Sequence, residues 1–479
     1  MKRILVSTIL LLALMLPSTS YAELTSDQKE MLHTYMEEAM ELYQIPGATL
    51  GIVKDGEVVF QEAFGVEQEG DKVENDTLFT IGSVSKPLTS LAVMKLVEDG
   101  KVDLNATIDH YIDVDFTDVQ DSEITVKDLL AHTSGITSYD GLKIADKNMR
   151  GEQAISEAVE QLQPIGTNYD TGEVHQYSAA NYLLLGKVIE EVTGKTFSTY
   201  MQDEVFGELQ MNRTVASYKE AQAVGYQPGF ESWFGIPVKS DGWYDDSGAP
   251  YGYIASTSDD MVKLMTALLN ETVLPEPLWN EYTSPVVHRK EDQYYGLGWR
   301  ISTNEDDAYY YHGGETPDSR TELFVHPDNG YAFTLMTNKN NFSEVMNTIH
   351  MKEGIRSIVE NQEAPPLPKT ADSMRWIVLF VTIGIGAVAL WDVIRGVKKG
   401  VRFFKGRIAI SVLSIVLAVS LIPVLVQTFG SPWHTIQAFA PDIALLVYVT
   451  IGIFLAHGLA STAVLFKKRK SRKLLSEAS

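Results

Sequence analysis

Two copies of a Ser-x-x-Lys spacing are the clearest sign of chemistry in this sequence. Ser26 and Lys29 lie in a polar segment, where the serine is most simply a helix cap. Ser83 and Lys86 follow an apolar segment and a glycine and open a predicted helix, on which residues three apart share one face. A serine alcohol is a weak nucleophile that needs an adjacent base, and a lysine can serve when its pKa is lowered. The second copy therefore predicts a nucleophile at Ser83; the alternative is a helix cap followed by a surface charge.

The segment 79–86 (Phe-Thr-Ile-Gly-Ser-Val-Ser-Lys) resembles the nucleophile motif of serine β-lactamases and penicillin-binding proteins, specifically of the class C β-lactamase-like branch. Further matches follow in the order of that family. They are 129–136 (Leu-Leu-Ala-His-Thr-Ser-Gly-Ile), 177–182 (Tyr-Ser-Ala-Ala-Asn-Tyr) and 312–314 (His-Gly-Gly). The resemblance covers about residues 24–358, and its ordered motifs favour the functional interpretation of Ser83.

The resemblance also implies roles for individual residues. Ser83 would be acylated, while Lys86 and Tyr177 would share proton transfer, with either of them as the base. His312 would line the far wall of the site and place a substrate carboxylate or relay a proton. The oxyanion hole would consist of backbone N–H groups of Ser83 and Glu315. The residues expected to bind substrate or the oxyanion are Gly313, Gly314, Glu315 and Asn181.

Two positions depart from the family pattern. Ala179 stands where the Tyr-x-Asn motif has the asparagine that contacts the acyl amide of a substrate, which predicts poor recognition of penicillin. Asp318 stands where glycine is usual after the third motif, and it is expected to add negative charge near the cleft. His132, within the second motif, is expected to be a buried structural histidine outside the catalytic set.

The elements that must position these residues are strands at both ends of a domain and helices in its middle. Residues 48–64 alternate around an Asp-Gly turn, which predicts a β-hairpin. Predicted helices follow, among them 87–98 and 179–193, and predicted strands return between 298 and 337. The pattern is α+β: an antiparallel sheet built from both chain ends and flanked by helices, with an inserted mainly helical region. The same β-lactamase/transpeptidase-like fold is implied by the resemblance.

Both ends of the sequence carry membrane-directed segments. Residues 1–22 have a basic start, a short apolar stretch and small residues before a cut site, which is typical of a secretory signal peptide. Three longer apolar runs, 376–394, 408–429 and 443–466, have the length of membrane-spanning helices. The sequence therefore predicts a cleaved signal peptide and a three-helix membrane anchor.

The loops between the apolar runs predict their orientation. The first loop holds six Lys or Arg residues, the second none, and the tail after the third run six. Because positively charged loops stay in the cytoplasm, the part before residue 376 is predicted to lie outside it at the cell membrane, with a cytoplasmic C-terminus. The predicted organisation is a signal peptide (1–22), a hydrolase domain (23–360), a Pro-rich linker (361–375), the anchor (376–473) and a tail (474–479).

Composition excludes several kinds of function. The 479 residues include no cysteine, which excludes disulfides, iron–sulfur clusters, thiolate zinc sites and a cysteine nucleophile. The net charge is −24, and because residues 376–479 carry 12 basic and three acidic side chains, the remainder carries −33. Such a charge argues against nucleic acid as a partner. No metal or other cofactor is predicted, since the sequence has no His-Glu-x-x-His motif.

These patterns together predict a membrane-anchored extracytoplasmic serine hydrolase with a small-molecule or peptide substrate. It would use a Ser-Lys-Tyr acyl-enzyme mechanism on D-amino-acid peptides of cell-wall type or on related esters and amides. Two alternatives stay open. One is a catalytically weak sensor that binds a wall fragment or a β-lactam and signals through the membrane helices; the other is a β-lactamase.

Overall fold

The computed structural model describes residues 23–117, 123–305, 307–369, 373–399 and 404–477. The predicted signal peptide lies outside these described residues. The helices are α1 (Ser26–Tyr43), α2 (Ser85–Glu98), α3 (Val126–Ala131), α4 (Ser138–Ile144), α5 (Ala154–Leu162), α6 (Ala179–Thr193), α7 (Phe197–Met201), α8 (Tyr218–Ala223), α9 (Ser258–Leu269), α10 (Glu276–Thr283), α11 (Val345–Val359), α12 (Ser373–Lys399), α13 (Phe404–Phe429), α14 (Trp433–Phe439) and α15 (Pro441–Glu477).

The strands are β1 (Gly47–Lys54), β2 (Glu57–Gly65), β3 (Phe79–Thr80), β4 (Phe230–Trp233), β5 (Ile236–Lys239), β6 (Ala255–Ser256), β7 (Val287–Lys290), β8 (Gln293–Tyr295), β9 (Arg300–Asn304), β10 (Asp307–Thr316), β11 (Ser319–His326), β12 (Tyr331–Thr337) and β13 (Lys339–Asn340). Eight of them form one antiparallel sheet in the order β2-β1-β12-β11-β10-β9-β8-β7. β1 pairs with β12, from Ala48 opposite Thr337 to Lys54 opposite Tyr331. Strands from both ends of the domain thus complete one sheet around an inserted helical region, which confirms the α+β prediction.

Different helices cover the two faces of this sheet. α1 and α11 cover one face, where Leu32 and Ile355 pack in a cluster with Phe333 and Leu335 of β12. The next residue on β12, Met336, belongs instead to the larger core on the opposite face, to which α2, α6 and α9 contribute. This alternation follows from the two-residue period of a strand. The second face is the one on which the candidate catalytic residues lie.

The first helix begins with a capping box. The Thr25 hydroxyl accepts a hydrogen bond from the Gln28 backbone N–H at 3.1 Å, and Gln28 Oε1 accepts one from the Thr25 N–H at 3.0 Å. The cap is therefore Thr25, and the expectation that Ser26 caps this helix is wrong. Ser26 lies one residue inside the helix and is exposed.

Most predicted elements near the candidate site are confirmed with shifts of a few residues. α6 has the predicted bounds, β12 ends at residue 337 as predicted for the returning strands, and α2 starts at Ser85, two residues before the predicted start. The small sheet β13-β4-β5 and the outer strands β7 and β8 were not predicted. These strands have two to four residues and are mostly at least partly exposed, so they lack a long alternating pattern.

In the described part of the chain, three helices are long and apolar enough to cross a membrane: Ser373–Lys398, Gly406–Phe429 and Pro441–Phe466. They contain the three apolar runs identified in the sequence. Buried ion pairs join their ends to each other and to the domain. Arg375 pairs with Glu344 of the domain at 2.8 Å and with Asp442, at the start of the third helix, at 3.4 Å.

Candidate active site

Ser83 lies in a one-turn 3-10 helix, Gly82–Val84, between β3 and α2. The backbone of Gly82 has a φ of +53°, and a Cβ atom on it would lie 2.0 Å from the backbone nitrogen of Glu315. Glycine is therefore required here both by conformation and by the close approach of β10. The turn holds Ser83 at the start of α2, against the backbone of β10.

The Ser83 hydroxyl has the two predicted partners. Lys86 Nζ lies 3.1 Å from Ser83 Oγ, as expected for residues three apart on a helix, and the Tyr177 hydroxyl lies 2.9 Å from it. Lys86 Nζ also donates to the backbone carbonyl of Tyr251 at 2.7 Å and lies 4.7 Å from the centroid of the Tyr177 ring. The structure thus brings Ser83, Lys86 and Tyr177 into one hydrogen-bonded group.

Burial gives Lys86 properties that an exposed lysine lacks. Its side chain is 1% exposed, and this burial lowers its pKa, because removal from water disfavours the ammonium form. The neighbouring Tyr177 and Asp146 act in the opposite direction and favour the charged form. The net lowering makes a neutral, proton-accepting amine more accessible than it is for a lysine in water.

His132 supports Tyr177 from behind, as expected for a structural histidine. It is fully buried, and its ring centroid lies 4.4 Å from that of Tyr177. Its Nδ1 accepts hydrogen bonds from the Ser178 backbone N–H at 3.3 Å and from the Asn181 amide at 2.9 Å. Burial, reinforced by the nearby Lys86, holds the pKa of His132 well below its ordinary value, so the ring is neutral.

Asn181, expected among the substrate-binding residues, lies in this buried support. Its side chain is fully buried, with the amide nitrogen on His132 and the amide oxygen accepting from the Ser134 hydroxyl at 2.8 Å. The structure does not bring it to the Ser83 hydroxyl. Ala179, at the start of α6, offers no polar side chain in its place.

His312 lies on the wall formed by β10, with both ring nitrogens engaged. Nδ1 donates to the carbonyl of Gly313 at 2.8 Å, and Nε2 accepts from the Tyr295 hydroxyl at 3.2 Å. Burial is the main cause that holds the pKa of His312 well below its ordinary value, and the cationic Arg300 and Lys86 add to it. His312 is therefore neutral, buried and without a free nitrogen.

The other β10 residues expected at the site, Gly313, Gly314 and Glu315, contribute their backbone and no side chain to the contact with the Ser83 turn. A Cβ atom on Gly314 would lie 1.9 Å from the Ile81 carbonyl oxygen and 2.9 Å from the Ser83 nitrogen, so the β10 backbone packs directly on the Ser83 turn. The Glu315 side chain instead pairs with Arg320 at 2.6 Å, which leaves only its backbone beside the turn. Gly313 lies on β10 between His312 and Gly314, the residue that packs on the Ser83 turn.

The expectation for Asp318 is corrected by the structure. Asp318 is fully buried, and its carboxylate accepts hydrogen bonds from the Gly229 backbone N–H at 3.1 Å and from the Thr316 hydroxyl at 3.3 Å. Burial raises its pKa, which disfavours the charged form. It therefore holds the β10–β11 turn from the inside and adds no exposed negative charge to the cleft.

One group of possible metal ligands occurs in the described residues, and it is already neutralised. Ligand atoms of Asp307, His326 and Glu360 lie within 4.8 Å of one another. Arg356 pairs with Asp307 and also with Glu360, the latter at 3.0 Å. A guanidinium therefore supplies the positive charge at this cluster.

Three residues at the site were missed by sequence reasoning: Tyr251, Tyr295 and Arg300. Tyr251 contributes its backbone carbonyl to Lys86, which no residue type can reveal. Tyr295 and Arg300 are paired neighbours on β8 and β9, and reach the site only through the sheet. The sequence did offer one signal for Tyr295 and Arg300. The segment 294–299 contains Tyr295 and directly precedes Arg300, and its mixture of aromatic residues and glycines is typical of neither a regular strand nor a loop.

Comparison with known proteins gives consistent matches. A family model described as Beta-lactamase matches residues 32–354. The chain is similar to Protein flp of Staphylococcus aureus (strain MW2), with 27% identity over 329 residues that cover 66% of this chain and 64% of that protein. It is similar to Penicillin-binding protein 4 of Amycolatopsis lactamdurans, with 26% identity over 317 residues (62% and 81%). A penicillin binding protein from Bacillus halodurans has a similar structure, with a TM-score of 0.57, 25% identity and coverage of 66% and 98%. The chain thus spans slightly less than two thirds of the length of flp.

Proposed function

The chain belongs to the Beta-lactamase family of serine hydrolases, and on that premise we propose that it cleaves D-amino-acid peptides of cell-wall type, or related esters and amides, through an acyl-enzyme on Ser83. The observation that carries the proposal is the pair of distances at Ser83 Oγ, 3.1 Å to Lys86 Nζ and 2.9 Å to the Tyr177 hydroxyl. A serine with such partners in reach is an activated nucleophile. The similarity to a penicillin-binding protein supports this substrate class.

In the proposed first step, Ser83 Oγ attacks the substrate carbonyl carbon and its proton passes to the Lys86–Tyr177 pair. The carbonyl oxygen becomes an oxyanion beside the backbone N–H groups of Ser83 and Glu315. Collapse of this intermediate expels the leaving amine or alcohol, which takes the proton back from the pair. Water then attacks the acyl ester with the pair as base, which releases the acid and restores Ser83.

The domain is proposed to work outside the cytoplasm, at the cell membrane. The distribution of Lys and Arg supports this orientation: six lie between the first and second apolar runs, none between the second and third, and six after the third. Buried ion pairs of Arg375 with Glu344 and Asp442 support a domain held against the outer ends of the helices.

Mass spectrometry of the full chain in detergent tests the nucleophile. After a fluorophosphonate, one adduct on Ser83 is expected; it should disappear in Ser83→Ala and persist in Ser26→Ala, the matched control from the other Ser-x-x-Lys copy. An adduct on another serine would contradict the assignment. A penicillin adduct is expected to form slowly, because Ala179 lacks the amide that would hold the acyl side chain.

Hydrolysis assays separate this proposal from its alternatives. The full chain is expected to turn over a simple ester and a D-alanyl peptide. Tight binding of a wall fragment without hydrolysis of either substrate would favour the sensor. Rapid destruction of penicillin would favour a β-lactamase.

A further inference from the structure

A group of exposed apolar side chains surrounds the point where the hydrolase domain meets the membrane helices. They come from three segments: the β4–β5 hairpin, the turn that leads into α11, and the first turn of α12. This membrane-end cluster consists of Ile236, Phe342, Met346, Met374 and Trp376. Phe342 is 70% exposed and Ile236 is 60% exposed. Apolar side chains that are this exposed and grouped in one place indicate a contact surface.

The chain neighbours of Phe342 hold it beside two of the membrane helices. The Asn341 amide donates a hydrogen bond at 3.3 Å to Asp442, near the start of α15. The Ser343 hydroxyl accepts one at 3.0 Å from Arg375, in the first turn of α12. Arg375 and Asp442 are themselves buried and pair with each other at 3.4 Å. Phe342 is therefore fixed next to the ends of both helices.

The tip of the β4–β5 hairpin is held at the same place. The Phe234 backbone N–H donates to Asp442 at 3.0 Å, and the Phe234 ring lies 5.5 Å from that of Trp376. Ile236 follows at the start of β5. Because β13 runs parallel to β4, Phe342, which follows β13, comes to the same end of the small sheet as this tip. The three segments thus present their apolar side chains at one end of the domain.

The length of α12 gives the depth of this end in a membrane. Its apolar span, Ser373–Lys398, has 26 residues and is about 39 Å long at 1.5 Å per residue. A hydrocarbon core is only ~30 Å thick, so the first turn of a helix that crosses it lies in the headgroup layer, where tryptophan is enriched. Phe342 lies at the same depth as this turn, because its neighbour Ser343 is hydrogen-bonded to Arg375.

The attraction of this end for lipid is apolar and not electrostatic. The cations beside the cluster are paired: Lys339 with Glu344 at 3.1 Å, and Arg375 with the same carboxylate at 2.8 Å. The part of the chain before residue 376 is strongly acidic, so it gains nothing from anionic headgroups. Removal of the phenylalanine, isoleucine and methionine side chains from water is the driving force that the cluster offers.

We propose that the membrane-end cluster inserts into the headgroup layer of the membrane that its own helices cross. The lipid contact fixes the orientation of the hydrolase domain on that membrane. The cluster is also joined to the active-site wall, since the Asn340 amide donates to the carbonyl of Thr316 at the end of β10 at 2.7 Å. This lipid contact does not depend on the chemistry at Ser83.

Site-specific fluorescence in vesicles tests the contact, because the chain has no cysteine of its own. Phe342→Cys and Ile236→Cys are each labelled with an NBD fluorophore. The full chain is placed in vesicles of equal parts phosphatidylcholine and phosphatidylglycerol, with or without a nitroxide on the lipid near the headgroup. Both labels are expected to lose most of their fluorescence to the nitroxide lipid and to be protected from iodide in the water.

Val58→Cys is the matched control. Val58 is another exposed apolar residue of the domain, with 47% exposure, and it lies opposite Val53 on β1. Val53 pairs with Ala332, at the end of β12 away from Thr337 and β13. A label at Val58 therefore lies at the far end of the main sheet from the cluster. It should keep its fluorescence with the nitroxide lipid and be quenched by iodide.

Each other result overturns the proposal in a distinct way. Labels at Phe342 and Ile236 that iodide quenches and the nitroxide lipid does not would show that the cluster faces water. Protection from both quenchers would show that protein covers it, as in a contact with a second copy of the chain. Equal lipid quenching at Val58 would show unspecific adsorption of the domain. Both substituted cluster residues are exposed, so the variants are expected to keep the wild-type melting temperature, which is measured for each.

Discussion

Gly314→Ala is expected to slow acylation severely although it leaves the nucleophile and its partners unchanged. A Cβ atom at this position would lie 1.9 Å from the Ile81 carbonyl oxygen and 2.9 Å from the Ser83 nitrogen. Both contacts are with backbone, so no side chain can rotate away. Real Cβ atoms essentially never approach closer than 3.0 Å, so β10 and the Ser83 turn must separate by about 1.1 Å.

The size of the effect follows from what this separation disrupts. The proposed oxyanion hole takes one N–H from each side of the contact, Ser83 from the turn and Glu315 from β10. Loss of one such donor costs about 10²–10³-fold in rate, and a misplacement of about 1 Å costs about 10²-fold. The acylation rate of Gly314→Ala is therefore expected to be about 10²–10³-fold below that of the wild type.

The assay is the rate of fluorophosphonate labelling and of ester hydrolysis, with the melting temperature measured to show that the variant folds. Gly252→Ala is the matched control. Gly252 is also buried beside the Ser83 turn, but its added Cβ would lie 3.9 Å from the carbonyl carbon of Gly82, which is an ordinary contact. It should keep acylation within a few-fold of wild type. A folded Gly314→Ala chain that reacts as fast as Gly252→Ala would refute the reasoning.

Further predictions concern the base, a buried acid and the membrane topology. Lys86→Met and Tyr177→Phe should each slow probe labelling by about 10²–10⁴-fold. Because burial lowers the pKa of Lys86, the labelling rate of the wild type should fall on acidification, with its midpoint at a pH below the ~10.4 of a free lysine. Burial raises the pKa of Asp146 from 3.8 to about 6, so its contribution to stability is present below pH 3.8 and is lost as the pH rises through 6. Asp146→Asn should therefore flatten the decline of melting temperature between pH 4 and 7, to which this group contributes about 3 kcal/mol; an equally steep decline would contradict the assignment. A reporter after Ser479 should be cytoplasmic and one at Gln362 outside, and protease protection that gives the reverse would overturn the three-span topology.

Local signals were sufficient to predict only the Ser83–Lys86 part of the chemical group at Ser83. Ser83 lies in the 3-10 turn that leads directly into α2, and Lys86 lies in the first turn of α2, so their proximity follows from the three-residue spacing and local helical geometry. Tyr177 is far away in sequence and was placed only by resemblance to a family motif. Most of the main sheet was likewise predictable, because residues 48–64 alternate around an Asp-Gly turn and further strands were expected between residues 298 and 337, whereas β7 and β8 were not predicted.

Side chains whose role depends on distant contacts were less predictable. Asn181 and Asp318 were expected to face the substrate or the cleft, since Asn181 lies within the motif 177–182 and Asp318 follows the third motif. Each is instead buried with partners from other segments, Ser134 for Asn181 and Gly229 for Asp318. A polar side chain can form its hydrogen bonds within the protein or with a ligand, and the packing of distant segments around it decides between the two.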